Sequence, residues 1–202
     1  MEIIQCQQGT EEWNKARLGM ITASCFGDVL AKGQGKTRRS YMLRVAAERL
    51  TGEKQETYCN GAMEWGTEHE PEARAYYEQI NNTLIQQVGF VKFNDFIGCS
   101  PDGLVDEDGL LEIKCPHTTT HLETVLSNEI PTGYVSQIQG QLWITGRQWC
   151  DFVSFDPRVQ GGPFWCKRVF RNEEYINNLQ TEINLFADQL NDLVKQFEKS
   201  EF

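Results

Sequence analysis

The sequence predicts an α/β fold, in which a mixed central β-sheet is flanked by helices and closed by a long C-terminal helix. Three observations predict it. The elements run helix, strands, helices, strands, helix, an order that suits a sheet covered by helices better than a sandwich. The strand candidates are short apolar or alternating runs separated by Asn-Asp, Pro-Asp-Gly and Asp-Glu-Asp-Gly, which are turn and hairpin chemistries. The C-terminal stretch carries an unbroken helical period. At 202 residues, with no internal repeat, low-complexity segment or linker, one domain with a sizeable core is expected.

Thr10 caps a first helix through Trp13 to Leu18, and Ser40 caps a second through Tyr41, Leu43, Ala46, Ala47 and Leu50, stopped by Thr51-Gly52. The loop between them, Lys32-Gly33-Gln34-Gly35-Lys36, lacks the glycine spacing and Gly-Lys-Ser/Thr ending of a triphosphate cradle, so nucleotide hydrolysis is not indicated. A third helix opens at Thr67, runs through Ala73, Tyr76, Tyr77 and Ile80, and turns at Asn81-Asn82. Strands are expected at Leu84 to Phe93, Phe96 to Cys99, Leu104-Val105 and Leu110 to Cys115. Helices around Thr119 to Ser127 and Tyr134 to Thr145 follow, then strands Trp149 to Phe155 and Phe164 to Phe170. The last helix shows Ile176, Leu179, Ile183, Phe186, Leu190, Leu193 and Phe197 at steps of three and four, a seam on about six turns. That seam packs either on its own domain or partly on another subunit.

Composition narrows the function classes. With 40% hydrophobic and 24% charged residues, the chain reads as globular rather than disordered or membrane-spanning. No apolar run has the length of a bilayer crossing, and Met1 to Gln8 lacks a signal-peptide pattern, so a cytoplasmic location without membrane contact is expected. Seven scattered cysteines with no Cys-x-x-Cys pair argue against a disulfide framework, a zinc knuckle or an iron–sulfur cluster. The net charge of -10 counts against a polyanionic partner, but it is uneven. Between Gly9 and Lys54, nine Lys and Arg outnumber five Asp and Glu, which leaves -14 for everything else. A phosphate-binding face therefore stays open, although the same segment reads equally as a solvated basic helix.

The most informative stretch is Ser100 to Lys114, Ser-Pro-Asp-Gly-Leu-Val-Asp-Glu-Asp-Gly-Leu-Leu-Glu-Ile-Lys. Read as a hairpin turning at Asp106 to Gly109, it brings Asp102 towards Glu112 on the partner strand. Alternation puts Glu112 and Lys114 on one face and Leu111 and Ile113 on the other, towards the core. Two carboxylates form the incomplete oxygen shell that Mg²⁺ prefers, and a lysine two residues on can orient or deprotonate a water and neutralise phosphoryl charge. That is phosphodiester hydrolysis chemistry. Alternatively, Glu112 and Lys114 are a solvated edge-strand pair; their apolar neighbours speak against it. The Cys115, His117 and His121 grouping superficially fits zinc, but solvent or core histidines are expected.

Five segments in order carry a resemblance to a known family: Trp13 to Gly19 followed by Ile21-Thr22-Ala23-Ser24; Trp65 to Glu70 with Ala73-Arg74; Ser100 to Leu104; Glu112 to Pro116; and Gln137-Ile138-Gln139 with Trp143. Over roughly Thr10 to Phe170 the chain resembles the phage lambda exonuclease family, a viral-recombination branch of the PD-(D/E)XK nucleases. The resemblance implies a restriction-endonuclease-like core, with residues 1–60 a helical DNA-contacting part, 61–170 the catalytic core and 171–202 the C-terminal helix. It implies that Asp102 and Glu112 bind metal with the backbone carbonyl of Ile113, that Lys114 is the catalytic lysine, and that Glu70 helps hold metal. Glu70 also fits a capping box on Thr67. Gln137 corresponds to a family active-site glutamine and shares a helical face with Gln141, where buried amide packing is the alternative.

By the same resemblance Arg17 and Ser24 form a pocket for a 5′-terminal phosphate; Trp13, which adjoins the basic segment, is a candidate DNA contact by position. Where the best-known member has an arginine this chain has Gln34, for which Lys36, Arg38 or Arg39 substitutes. The implied activity is Mg²⁺-dependent, with Mn²⁺ a substitute: 5′-to-3′ digestion of one strand of double-stranded DNA to mononucleotides by two-metal hydrolysis, leaving single strand for recombination. A homotrimeric ring around DNA and a phage single-strand annealing protein are the implied partners. Another nuclease of the superfamily, or a catalytically inactive DNA-binding subunit, remains the alternative.

Overall fold

A computed structural model describes residues 1–31, 36–55 and 61–199. Its elements in chain order are β1 (Glu2–Ile4), α1 (Glu11–Arg17), β2 (Ile21–Thr22), α2 (Phe26–Leu30), α3 (Lys36–Thr51), α4 (Gly61–Asn81), β3 (Phe90–Lys92), β4 (Ile97–Cys99), β5 (Gly103–Val105), β6 (Gly109–Lys114), α5 (Thr118–Ser127), α6 (Val135–Thr145), β7 (Trp149–Phe155), β8 (Phe164–Phe170) and α7 (Glu173–Lys199). The α/β class holds, with a correction. The strands form two mixed four-stranded sheets, ordered β1-β3-β4-β2 and β5-β6-β7-β8, instead of one central sheet.

The N-terminal part is not purely helical. It supplies β1, antiparallel to β3, and β2, parallel to β4. Both strands are too short to show a period in sequence. Thr10 does cap α1, its side chain accepting from the Trp13 N–H. Ser40 caps nothing, because α3 begins at Lys36 and Ser40 lies within its second turn. Likewise α4 begins at Gly61, so Thr67 lies inside the helix and is not the N-cap that the alternative capping-box reading of Glu70 requires. Pro71, inside α4, removes one rung of the helical ladder without ending the helix. Of the expected strand Leu84 to Phe93, only Phe90–Lys92 is a strand, with one isolated bridge between Gln86 and Leu104.

The second sheet carries the site. Antiparallel β5 and β6 pair Gly103 with Leu111 and Val105 with Gly109, while β6 runs parallel to β7 from Gly109 opposite Trp149 to Lys114 opposite Ser154. β6 is thus central and covered on both faces. Leu111 and Ile113 join Ala73 and Tyr77 of α4 in one apolar cluster. Leu110 faces the other way, into the main core with Ile138 and Leu142 of α6 and Phe152 of β7. A strand buried on both sides reads as a near-continuous apolar run, which accounts for Leu-Leu-Glu-Ile-Lys-Cys.

α7 closes the main core. Ile176, Leu179, Ile183, Phe186 and Leu190 are at most 1% exposed, whereas Phe197 at the far end is half exposed. Each buried side chain contributes about 1.5–3 kcal/mol relative to exposure. Most of the seam therefore packs on its own fold, against α2, α3 and α6, with Phe186 stacked on Tyr41 at 5.5 Å. Gly140 lets α6 approach α2, since a Cβ there would overlap the Phe26 ring. The six cysteines among the described residues are free, and no helix among these residues is long and apolar enough to cross a membrane.

Candidate active site

The hairpin places Asp102 opposite Glu112, one step beyond the Gly103 and Leu111 pair. The Asp102 N–H donates to the Leu111 carbonyl at 3.1 Å, and the Ile113 N–H donates back to Asp102 Oδ2 at 2.6 Å. The aspartate carboxylate thus takes the place of a strand backbone just before β5 begins. The N–H and C=O of one strand residue leave by the same edge, so the Ile113 carbonyl faces this side as well. Gly103 is needed for space rather than for a turn: a Cβ there would overlap the Ile85 side chain. Arg147, just past α6, fixes the far end, its Nη1 donating to the carbonyls of Val105, Asp106 and Gly109.

Glu112 is 1% exposed, and each of its oxygens is held. Gln137 Nε2 donates to Oε1 at 2.6 Å, and Lys114 Nζ lies 2.5 Å from the same oxygen. Gln141 Nε2, one helical turn along α6, donates to Oε2 at 2.7 Å. The structure therefore brings Asp102, Glu112, Lys114, Gln137 and Gln141 together. Glu70 approaches from α4, paired with Arg74 on the next turn. Deeper in the sheet, Tyr77 of α4 donates to Asp151 of β7 at 2.7 Å, and Arg168 grips both Asp151 oxygens. This triad, buried at Tyr77 and Asp151 and open to solvent at Arg168, pins the helix face that carries Glu70.

The electrostatics are those of crowded anions in a dry place. Burial, then the neighbouring Glu112 and Glu70, push the Asp102 carboxyl well above the ordinary aspartate value. Burial raises Glu70 too, with Glu112 adding to it and Arg74 and Lys114 opposing. Burial pulls Lys114 down, but Glu112 and Asp102 together outweigh it and hold the ammonium charged. Glu70 and Glu112 each have a cationic partner, whereas no salt bridge among the described residues reaches Asp102.

That imbalance tests the site against a metal. An all-oxygen set of Asp102, Glu112, Glu70 and the Ile113 carbonyl, with one half-buried carboxylate lacking a counter-charge, fits a hard divalent cation. As they stand, no three His, Cys, Asp or Glu side chains among the described residues form a ligating group. Glu70 is turned to Arg74, and Glu112 to Lys114 and the two glutamines.

A second, basic region adjoins the first. Arg17 stacks over Trp13 at 4.2 Å and donates from Nη1 to Ser100 Oγ at 3.2 Å. Trp13 Nε1 donates to the same hydroxyl at 2.9 Å and lies within reach of the Gly89 carbonyl at 3.1 Å. Ser100 is two residues from Asp102, so both regions hang on one strand end. Burial lowers the Arg17 guanidinium from its ordinary value, and no salt bridge among the described residues reaches it. It borders a cavity of about 310 Å³ lined also by Trp13, Tyr41, Arg44, Glu48 and Lys54.

Not every predicted residue gathers here. Ser24 is exposed, with its hydroxyl 3.3 Å from that of Thr22, beside the cavity rather than in its lining. Lys36 and Arg39 lie on the exposed start of α3, and Arg38 is engaged by α7, donating to Gln189 at 2.8 Å over the Phe186 ring. None of the three lines the cavity, where Arg44 and Lys54 are the cations. Gln34 lies outside the described residues. His121 is buried and bonded to Ser154 and the Gly162 carbonyl, a core histidine as expected, and His117 is exposed. The sequence reading missed the roles of Arg74, Ser100, Arg44 and Lys54. Arg74 had a signal, four residues after Glu70 on a helix.

The fold and this site define a class: the chain has the alkaline exonuclease fold. It matches an alkaline exonuclease from Laribacter hongkongensis with a TM-score of 0.89 and 40% identity, covering 94% of this chain and 97% of that one. That exonuclease is also known in complex with dAMP, with the same extent of match. A phage-related exonuclease from Haemophilus somnus shares the fold, with a TM-score of 0.67 and 16% identity over 88% of this chain and 96% of that one. Residues 12–148 match the YqaJ-like viral recombinase domain, and the chain belongs to that family. An uncharacterized protein of Acanthamoeba polyphaga mimivirus is 26% identical over 167 residues, which is 75% of this chain and 30% of that protein. The chain thus spans about 30% of the length of that curated relative.

Proposed function

We propose that the protein is a Mg²⁺-dependent 5′-to-3′ exonuclease of double-stranded DNA that releases mononucleotides and leaves single strand for recombination. One observation carries the reading: the half-buried Asp102, opposite the buried Glu112 with Lys114 on it, sits two residues from the serine that Arg17 and Trp13 both grip. A half-buried carboxylate with no salt bridge thus adjoins a half-buried guanidinium with none among the described residues. The first suits a divalent metal, and the second suits a strand-terminal phosphate.

Asp102, Glu112, Glu70 and the Ile113 carbonyl would hold Mg²⁺, or Mn²⁺ in its place. Bound there, the ion would polarise a phosphoryl oxygen and acidify a water. Lys114, held charged against Glu112, would balance developing phosphoryl charge and orient the attacking water. Arg17 and Ser100 would hold the terminal phosphate, so that the first phosphodiester meets the carboxylates. The dAMP complex of the Laribacter exonuclease supports a nucleoside monophosphate as product. The acidic chain would stay on DNA by turning its basic face inward in a homotrimeric ring and would hand the exposed strand to a phage annealing protein.

Linear duplex with 5′-phosphate or 5′-hydroxyl ends, and closed circular duplex, should be digested with and without Mg²⁺ by the wild type and Glu112→Ala. Mononucleotides released from 5′ ends, faster from phosphorylated than from hydroxyl ends and needing both Mg²⁺ and Glu112, are expected. Release from 3′ ends, cutting of closed circles or cleavage in EDTA would overturn the reading.

A further inference from the structure

We infer that Gln141 is a positioning residue for Glu112, locking the rotation of its carboxylate so that one oxygen is presented to the working face. This rests on the nuclease reading above and deepens it. The two glutamines of α6 reach different oxygens. Gln137 meets Oε1, the oxygen that Lys114 also contacts, so Gln137 stands on the side where substrate charge would gather. Gln141 meets Oε2 from behind, within the helix–sheet interface. The terminal torsion of a glutamate is broad and two-fold, so a carboxylate bound at one oxygen only would swing. With Oε2 tied to the helix, Oε1 has one direction left.

Gln141 does not behave as an ordinary core amide. It is 1% exposed, and its Oε1 has no hydrogen-bond partner among the described residues. An apolar side chain of the same shape would fill that space without burying an unmet acceptor. Swapping the amide ends would set carbonyl against carboxylate, so the orientation is fixed by Glu112 itself. Gln141 is retained, on this geometry, for what its N–H does to Glu112. Groups that orient a metal-binding side chain act in this way from behind it.

The test compares wild type with Gln141→Met, which keeps the volume and removes the amide, and with Gln141→Ser as a second variant in case methionine perturbs folding. Thermal midpoints without metal, calorimetric titration with Mn²⁺ alone, and kcat and KM on linear 5′-phosphorylated duplex are measured. The expected result is Mn²⁺ affinity and kcat both lowered about tenfold and KM for DNA changed less than about twofold, with a lower midpoint as Oε2 loses the Gln141 N–H. A lowered midpoint with wild-type Mn²⁺ affinity and kcat in both variants would overturn the positioning role and leave the nuclease reading intact. A wild-type protein that neither binds Mn²⁺ nor cleaves DNA would overturn both.

Discussion

The carboxylate site and the basic cavity beside it are built to opposite rules, although Ser100 and Asp102 join them within three residues. In the first, Glu112, Lys114, Gln137, Gln141 and Glu70 sit on a strand or helix, Asp102 stands at the start of one, and named partners hold the carboxylates: Glu112 by Gln137, Gln141 and Lys114, Asp102 by the Ile113 N–H, and Glu70 by Arg74. In the second, the cations come from three separate places, Arg17 from the short α1, Arg44 from α3 and Lys54 from a loop, and the last two hold neutral partners, Cys25 Sγ and Asn14. Chemistry on a phosphodiester tolerates little misplacement, so the groups nearest the reacting atoms are over-determined. Gripping a terminal phosphate needs charge and a fork more than fixed angles.

If that contrast is right, substitutions in the two regions fail differently. Glu112→Ala should lower cleavage of linear duplex by about 10²–10³-fold, as should removal of Mg²⁺ by EDTA, while gel-shift affinity for the duplex changes little. Arg17→Ala should cost about 10–100-fold, the worth of a hydrogen bond to a charged group, and only on 5′-phosphorylated ends. Competition between phosphorylated and hydroxyl-ended duplexes measures this. Equal losses on both kinds of end would break the division of labour.

Smaller effects sharpen the comparison through stability. Gly103→Ala places a methyl against Ile85 beneath Asp102 and should destabilise the fold by about 1–3 kcal/mol, read by urea denaturation. The least effect is expected from Asp156, remote from both regions. Arg158 above all, with Thr118, holds its carboxyl below the ordinary aspartate range. A group whose folded value is depressed contributes stability above its unfolded value and loses it as pH falls through the folded one. The wild type should therefore lose more stability than Arg158→Ala between neutral pH and pH values below the ordinary aspartate range, by thermal melts across that range.

Much of this was legible from residue order. The two C-terminal strands fall where the sequence predicts them, Trp149–Phe155 and Phe164–Phe170, because flanking turns bound strongly apolar runs. The Asp102, Glu112 and Lys114 set is also readable, since hairpin register and alternation are local rules. The helix starts were misread for a physical reason. Polar residues at Ser40 and Thr67 resemble caps, but a cap is defined by where the backbone leaves the helix, and tertiary packing carries α3 and α4 further upstream.

By itself, then, the sequence determined the α/β class, the acidic hairpin with its lysine, and the kinship with viral recombination exonucleases, because these rest on spacing along one chain. Only the tertiary structure decided that the strands split into two sheets and that Arg44 and Lys54, rather than Lys36, Arg38 and Arg39, line the cavity beside Arg17. The same holds for the assignment of each Glu112 oxygen to its own glutamine. Those outcomes depend on contacts between residues tens of positions apart, and no local propensity encodes which side chain meets which oxygen.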